Sequence, residues 1–560
     1  MKDTILWLQL QPRKKSDGND LFSSITDISQ WIQRNSTQKT GERARLYFQL
    51  LVEVNDLDLP VHERLVFLEQ LHAPVIEIID KLSKKYAGTG LPLAEDKSKF
   101  VEIVNTFWSE MAKGYKIIID DLSESSFLTA FITQKDLTNA LYYVLYYLNS
   151  QLYSNYMLYS DCNENVWRDI HQVYRFAAKR NLTNKVPKNQ LSAELTIDEL
   201  YKKILLFSLA NPYHLSTIEM ESVWLYLNEW SQYTQVNLDT AQVLKKEYPF
   251  IIKPYSDQSP FSNHNYGNSE KITEFDLSEF TSDSIWGLET KKLVKDLSKK
   301  NKYPEISAYL IERLLRAWMG HNLRQLPRKE LIEPVVIAVG ASCISQFLSQ
   351  IDIVPKILKI EDEQDQKLES TTSVYSFYQA YLIDESKQGI RLKLSHQSKK
   401  AISPNMSEIV AVKHADDSIQ IGYLRWMKES PEGEVEFGIE HLSAMAEPVQ
   451  LSKDSDIPLH KENQTEQPTV LDSFVFPGGK EHQFKPILFT HTFIEKFYNS
   501  RTDPLILTHK TGSINIKLVQ KVDEVLDYSL YLFEKVDKEQ LSELKKKNKS
   551  QQFEKIWNKI

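Results

Sequence analysis

The chain has 560 residues, of which 41% are hydrophobic and 26% charged, so it can form several ordinary hydrophobic cores and is not disordered throughout. At roughly 150 residues per domain, this length predicts three or four domains. The formal charge of −8 argues against sequence-independent binding along nucleic-acid phosphates, so we expect no nucleic-acid partner.

The only two cysteines, Cys162 and Cys343, lie too far apart in the sequence to indicate a disulfide framework or a paired metal or redox motif. No apolar run is long and uninterrupted enough to span a membrane, and the apolar residues 5–10 are too few for a signal peptide. We therefore expect a cytoplasmic protein with no membrane span, no metal and no cofactor.

From about residue 40 to 320, apolar residues recur at every third or fourth position, which predicts α-helices. We predict a helical region of irregular hairpins over residues 1–270 and connecting helices over 271–320, with a linker-like composition at 256–269. Regular tetratricopeptide repeats are an alternative, since the first-helix pattern is half-matched by Trp167, Ile170, His171 and Tyr174. The second-helix markers of that repeat are missing.

After Pro327 the pattern changes to short runs rich in β-branched residues. Six such runs, at 335–339, 380–383, 390–394, 409–412, 419–426 and 435–439, predict a six-stranded antiparallel β-barrel over residues 321–450. The stretch at about 341–374 interrupts this pattern, and we expect an insertion there that lies outside the barrel.

Four further runs, at 474–476, 505–507, 514–519 and 528–534, predict a small β-rich unit over residues 470–560 that ends in a basic helical tail. The predicted fold class is therefore α+β multidomain. An all-α N-terminal region is followed by the barrel and then by the small β-rich unit.

The motifs of the common nucleotide-hydrolysing, dinucleotide-binding, zinc-hydrolase and serine-hydrolase folds do not occur in the sequence. No residue is therefore a candidate for catalysis or for metal binding. We predict a protein that is not an enzyme; an enzymatic alternative would need a pocket of converging titratable groups.

Two short motifs flank the predicted barrel strands. Arg324-Gln-Leu-Pro-Arg328 precedes the first strand, and Asp384-Glu-Ser386-Lys-Gln-Gly389 ends the second. In this order, R-x-x-x-R followed by D-x-S-x-x-G resembles the PilZ domain, the bacterial receptor for cyclic di-GMP. The resemblance covers about residues 321–450, and the insertion accounts for an interval between the motifs that is longer than the simple family pattern has.

The resemblance implies that cyclic di-GMP binds to Arg324, Arg328, Asp384, Ser386 and Gly389. The residue types suit a ligand of two guanines and two phosphates. Guanidinium groups offer planar forks for phosphate oxygens or for guanine O6 and N7. An ionised aspartate accepts the guanine N1 and N2 hydrogens, a serine hydroxyl serves phosphate or base, and a glycine lets backbone or ligand approach closely.

Pro327 restrains the backbone of the arginine motif. It favours an extended conformation for the preceding residue, which would place Arg324 and Arg328 on one side, about 13 Å apart. Local positive potential, without a specific contact, would come from Lys329, Lys387 and Arg391.

A structural alternative exists for each motif. The two arginines would pair with Glu330 or Glu333, and residues 384–389 would form a plain hairpin turn. Neither arrangement would require a ligand.

The functional prediction is a cyclic di-GMP-binding effector that transmits the level of this second messenger to a protein partner of the helical region. Ligand binding would rearrange the barrel against the helical region. The resemblance suggests motility, biofilm or secretion control as the output. The alternative is an interaction scaffold whose PilZ-like barrel no longer binds ligand.

Overall fold

The computed structural model describes residues 10–540, with its longer gaps at 124–129, 189–193, 264–284, 321–326, 350–376, 395–405, 454–469, 479–484 and 495–503, and with several shorter ones. The chain divides into two compact units. The first contains residues 1–325 and 428–433, and the second contains residues 326–427 and 434–560.

The first unit is built from helices whose apolar faces form its core. Trp230, Trp286 and Trp318 are among its largest fully buried side chains. Its helices, within the described residues, are α1 (Ile28–Asn35), α2 (Thr40–Asp56), α3 (Val61–Ser83), α4 (Glu95–Ser123), α5 (Ala130–Met157), α6 (Val166–Lys179), α7 (Ile197–Leu209), α8 (Thr217–Trp230), α9 (Thr240–Lys245), α10 (Lys291–Leu297) and α11 (Ala308–Trp318).

Local sequence explains where several helices begin. Thr196 with Glu199 and Ser216 with Glu219 form reciprocal capping boxes at the first turns of α7 and α8. In each box the hydroxyl accepts a backbone N–H that has no partner within the helix, and the glutamate accepts the N–H of the capping residue. These signals agree with the predicted helical character of this region.

Part of the stretch predicted to be a linker is instead bound to α6. The Asp257 carboxylate accepts the backbone N–H groups of Asn165 and Arg168, at 2.5 and 3.1 Å, and so caps α6 from a distant part of the chain. The Gln172 side chain donates to the Pro254 carbonyl at 2.8 Å. Polar composition, which indicates a loop, does not reveal that the loop's acceptors satisfy a helix terminus.

His171 occupies the centre of α6 and is fully buried. Its Nε2–H donates to the Gln258 carbonyl at 2.9 Å, so its Nδ1 accepts the Tyr201 hydroxyl at 2.8 Å. Burial lowers the pKa of His171 to about 4, whereas an unfolded histidine titrates near 6.5. The ring is therefore neutral in the folded protein, and protonation would break the bond from Tyr201.

Because the folded pKa lies below the unfolded one, His171 contributes stability that is complete above about pH 6.5 and is lost as the pH falls toward 4. We expect a loss of about 3 kcal/mol from this group. Urea unfolding of the wild type and of His171→Gln at pH 7.5 and 4.5 should show the difference between them shrinking at the lower pH. The same comparison for the exposed His62 should show no change; a constant His171 difference would contradict the assignment.

A small sheet also lies within the first unit, in the strand order β1-β4-β2-β3. Its members are β1 (Gln235–Asn237), β2 (Phe250–Ile252), β3 (Phe261–Ser262) and β4 (Trp286–Glu289). The sequence does not predict this sheet, because strands of two to four residues are too short to display a period of two.

The second unit contains two closed six-stranded barrels. In the first barrel the order is β10-β7-β6-β5-β8-β9, and all its paired strands that are described run antiparallel. Its strands are β5 (Lys329–Val339), β6 (Phe377–Ser386), β7 (Gly389–Leu394), β8 (Ile409–Lys413), β9 (Ile419–Glu429) and β10 (Val435–Ser443). Each of the six predicted strands lies within one of them.

The second barrel has the order β11-β12-β13-β16-β15-β14. Its strands are β11 (Glu447–Lys453), β12 (Val470–Phe476), β13 (Ile487–His491), β14 (Leu505–His509), β15 (Gly512–Val525) and β16 (Tyr528–Lys535). The predicted fold class, a helical region followed by a six-stranded barrel and a further β-rich unit, is confirmed. The basic tail predicted around residues 545–549 lies outside the described residues.

The insertion begins with a twelfth helix, α12 (Ala341–Ser349), between β5 and β6. Ile344 and Phe347 of α12 belong to one hydrophobic cluster with Ile409 of the first barrel and with Phe474 and Phe489 of the second. The helix therefore packs against the strands of both barrels. The rest of the insertion, from residue 350 to 374, lies outside the described residues.

Among the helices of the described residues, none is long and apolar enough to cross a membrane. The described residues also contain no group of three or more histidine, cysteine or acidic side chains that could hold a metal ion. Cys162 and Cys343 are free thiols, and burial raises the pKa of Cys162 to about 12.

Candidate functional site

The strand register brings Arg328 and the second predicted motif to one part of the first barrel. Arg328 directly precedes β5, and Asp384 lies near the end of β6. Asp384 is opposite Glu330 of β5 on one side and opposite Arg391 of β7 on the other. The register shifts between Leu382 and Asp384 in the β6–β7 pair, and such a bulge redirects the side chains that follow it.

Arg328 and Asp384 form an ion pair through Nη1 and Oδ1. The Arg328 side chain is 28% exposed and that of Asp384 is 11% exposed. The pair thus lies at the surface, with the aspartate as its more buried member. An ion pair in contact with water contributes about 1 kcal/mol or less, so a competing ligand can open it at small cost.

Ser386 and Gly389 close the two-residue hairpin turn between β6 and β7. The Ser386 Oγ donates to the Gly389 carbonyl at 3.0 Å and accepts the Gly389 N–H at 3.2 Å. A Cβ atom on Gly389 would lie 2.3 Å from the carbonyl oxygen of Ile439 on β10. Glycine is therefore required here by the close approach of two backbones.

The turn is also attached to the end of β10, because the His441 backbone N–H donates to the Gln388 carbonyl at 2.9 Å. Burial lowers the pKa of His441, and the nearby Glu385 carboxylate acts in the opposite direction. Its imidazole thus lies in a partly dry environment beside the turn.

Arg391 and Glu436 extend the site beyond the predicted residues. Arg391 Nη1 lies 3.8 Å from Asp384 Oδ2, and Arg391 Nη2 lies 2.6 Å from Glu436 Oε2. From sequence, Arg391 is only a source of positive potential and Glu436 has no assigned role. One sequence feature could have indicated the role of Arg391. It alternates with the apolar residues Ile390 and Leu392, which are buried, and this alternation places Arg391 on the outer face of β7 beside β6.

The structure brings together four of the five predicted site residues, Arg328, Asp384, Ser386 and Gly389, whereas Arg324 lies outside the described residues. Of the structural alternatives, the hairpin turn is present. Arg328, however, pairs with Asp384 rather than with Glu330 or Glu333. Glu333 instead accepts the backbone N–H of Ala415 at 2.9 Å.

Family models match parts of both compact units. Residues 26–241 match the family described as "Cyclic-di-GMP receptor FimW, N-terminal domain", and residues 345–448 match "Cyclic-di-GMP receptor FimW, middle PilZ domain". The second match includes Asp384, Ser386 and Gly389 and begins after Arg328. With a closed barrel that carries Arg328 and the D-x-S-x-x-G turn, these matches define a PilZ-domain protein with a long helical N-terminal region.

Among individual proteins, the chain is similar to the Cyclic-di-GMP receptor FimW of Pseudomonas aeruginosa. The two are 22% identical over 431 residues, which cover 73% of this chain and 68% of that protein. A solved structure entitled "MrkH, A novel c-di-GMP dependence transcription regulatory factor" has 12% identity, covering 40% of this chain and 95% of its own. Its TM-score of 0.12 is too low to indicate a shared fold.

Proposed function

We propose that this protein is a cyclic di-GMP-binding effector that has no enzymatic activity of its own. The observation that carries the proposal is the Arg328–Asp384 ion pair, in which Arg328 is partly exposed, beside the Ser386–Gly389 turn. The Arg328 guanidinium can donate to phosphate or to guanine O6 and N7, and the Asp384 carboxylate can accept guanine N–H groups. Without ligand, the two side chains pair with each other. The similarity to a protein named as a receptor for this ligand supports the same conclusion.

In the proposed complex, the Arg328 guanidinium leaves Asp384 and donates to a phosphate or to guanine O6 and N7. The Asp384 carboxylate then accepts the N1 and N2 hydrogens of a guanine, and the Ser386 hydroxyl bonds to phosphate or base. Gly389 lets the turn pack against the backbone of β10 and so holds Ser386 in place. Arg324 would supply the second cationic fork.

The proposed output is a change in how the helical region binds a protein partner, with motility, biofilm or secretion control as the processes that the family suggests. A covalent route for this signal is residues 428–433. They belong to the first compact unit, yet they contain the last two residues of β9 and the chain that leads from it toward β10. Within the first unit, Lys428 Nζ lies 2.8 Å from Asp161 Oδ2, and the Glu429 N–H donates to the Tyr159 carbonyl at 2.8 Å. Movement of β9 or β10 would therefore act on these contacts.

Isothermal titration calorimetry of the full-length protein with cyclic di-GMP tests the proposal. We expect saturable binding, and no binding of GMP at the same concentration, because GMP lacks the second guanine and the second phosphate of the cyclic dinucleotide. If cyclic di-GMP releases no heat over a range of temperatures and produces no shift in melting temperature, the scaffold alternative is correct instead.

A further inference from the structure

Four charged side chains of alternating sign lie across neighbouring strands of the first barrel. In order they are Arg328 before β5, Asp384 on β6, Arg391 on β7 and Glu436 on β10. We call these four residues the charge row. The strands β5, β6, β7 and β10 are consecutive in the barrel, so each member of the row has its neighbours on the adjacent strands.

Arg391 is held in the row by Glu436 rather than by Asp384. The 2.6 Å contact with Glu436 is a charge-assisted hydrogen bond, whereas 3.8 Å to Asp384 is too long for one. Arg391 therefore acts on Asp384 through its charge. Its Nε–H is buried and has no hydrogen-bond partner among the described residues, so the guanidinium has a free donor on its inner edge.

The two arginines beside Asp384 are thus not equivalent. Arg328 bonds to the carboxylate directly and is the group that the proposed function requires to move to the ligand. Arg391, which is bonded to Glu436, has no such need to move. When Arg328 departs, the charged residues opposite Asp384 in the strand register are Arg391 on β7 and Glu330 on β5.

We propose that Arg391 is a positioning residue for Asp384: it replaces Arg328 as the counter-ion when ligand binds, and so keeps Asp384 ionised and able to accept the guanine hydrogens. This inference rests on the proposed function and deepens it. Without Arg391, the carboxylate would lie opposite Glu330 with no compensating cation from the row, and like charges favour protonation. Glu436 contributes to this role because its hydrogen bond holds the Arg391 guanidinium in position.

The affinity for cyclic di-GMP between pH 4 and 8 tests this assignment. Relative to the wild type, Arg391→Met should bind almost equally well at pH 8 and lose affinity as the pH falls. The acid limb of its profile, the fall in affinity at low pH, should move up by about half a pH unit or more. Arg391→Lys, which keeps the charge, should restore most of the acid limb. A loss that is equal at every pH, or no loss, would overturn the inference.

Lys393→Met is the matched control. Lys393 lies two residues further along β7 and pairs with Glu434 at 2.6 Å. Its removal takes one positive charge from the same strand. Lys393 lies opposite Glu436 in the strand register, but its ammonium pairs with Glu434, so we expect the fall in affinity at low pH to stay where it is in the wild type. An equal shift in this variant would show a general field effect and would count against a specific role for Arg391.

A second measurement needs no ligand. In full-length Arg328→Met protein with labelled aspartate, NMR can follow the titration of the Asp384 carboxylate, and the further change Arg391→Met should raise its pKa. An unchanged pKa overturns the inference even if cyclic di-GMP binds. Failure of the wild type to bind cyclic di-GMP would instead refute the proposed function, while this titration would still decide the role of Arg391.

Discussion

Replacing Arg328 with alanine is expected to weaken cyclic di-GMP binding by roughly a hundredfold, because the ligand would lose a bidentate, charge-assisted contact. The substitution should have little effect on folding, since the Arg328 side chain is 28% exposed and its pair with Asp384 is in contact with water. Calorimetry gives the affinity, and the melting temperature monitors the fold.

Arg425→Ala provides the control for the loss of an arginine. Arg425 lies on β9 of the same barrel, is exposed to a similar extent and pairs with Glu440 at 3.3 Å. Glu440 lies opposite Gly389 in the strand register, so this variant removes a positive charge near the turn. We expect its affinity to stay within about threefold of the wild type, because a surface ion pair contributes little. Equal losses in the two variants would mean that general positive potential, not a contact by Arg328, governs binding.

Gly389→Ala is expected to have the second large effect. The new Cβ would meet the Ile439 carbonyl oxygen at 2.3 Å, and a backbone atom cannot be displaced without separating β7 from β10. We expect a loss of about 2 kcal/mol or more in the free energy of unfolding of the second unit. Cyclic di-GMP binding should weaken as well, because the turn would move with the strand.

The control for this substitution is Gly41→Ala. Gly41 lies in the first turn of α2, and a Cβ there would meet nothing within 4 Å. Alanine is the better helix former, so this variant should be as stable as the wild type or slightly more stable. Chemical denaturation of both variants measures the contrast. A Gly389→Ala protein of wild-type stability would contradict the close approach of β7 and β10.

The part of the site that could be predicted from sequence is the part carried by local motifs. Asp384, Ser386 and Gly389 lie within six consecutive residues, and a short hairpin necessarily keeps them together. That Arg328 and Asp384 lie near each other could be predicted because they flank neighbouring strands, whereas their direct ion pair could not. Glu436 has no motif; it reaches Arg391 because β10 returns beside β7, a pairing of distant segments that a local pattern does not encode.

The same reasoning applies to the fold. Long amphipathic helices such as α3 and α4 are easily predicted, because their apolar residues repeat at helical spacing over many turns. The small sheet of the first unit and the binding of residues 254–258 to α6 depend on contacts between distant segments. For the C-terminal strands, a pattern of short β-rich runs indicates strands without indicating that they close into a second barrel.

The apolar cluster at α12 bears on how the ligand-binding part of the protein can be isolated. Ile344 and Phe347 belong to a cluster that includes Phe474, Phe489 and Tyr528 of the second barrel. A fragment that ends after β10 would lack the second barrel, so Ile344 and Phe347 would be exposed to solvent and would promote aggregation. Recombinant fragments that retain the site should therefore extend through β16, so that both barrels are produced together.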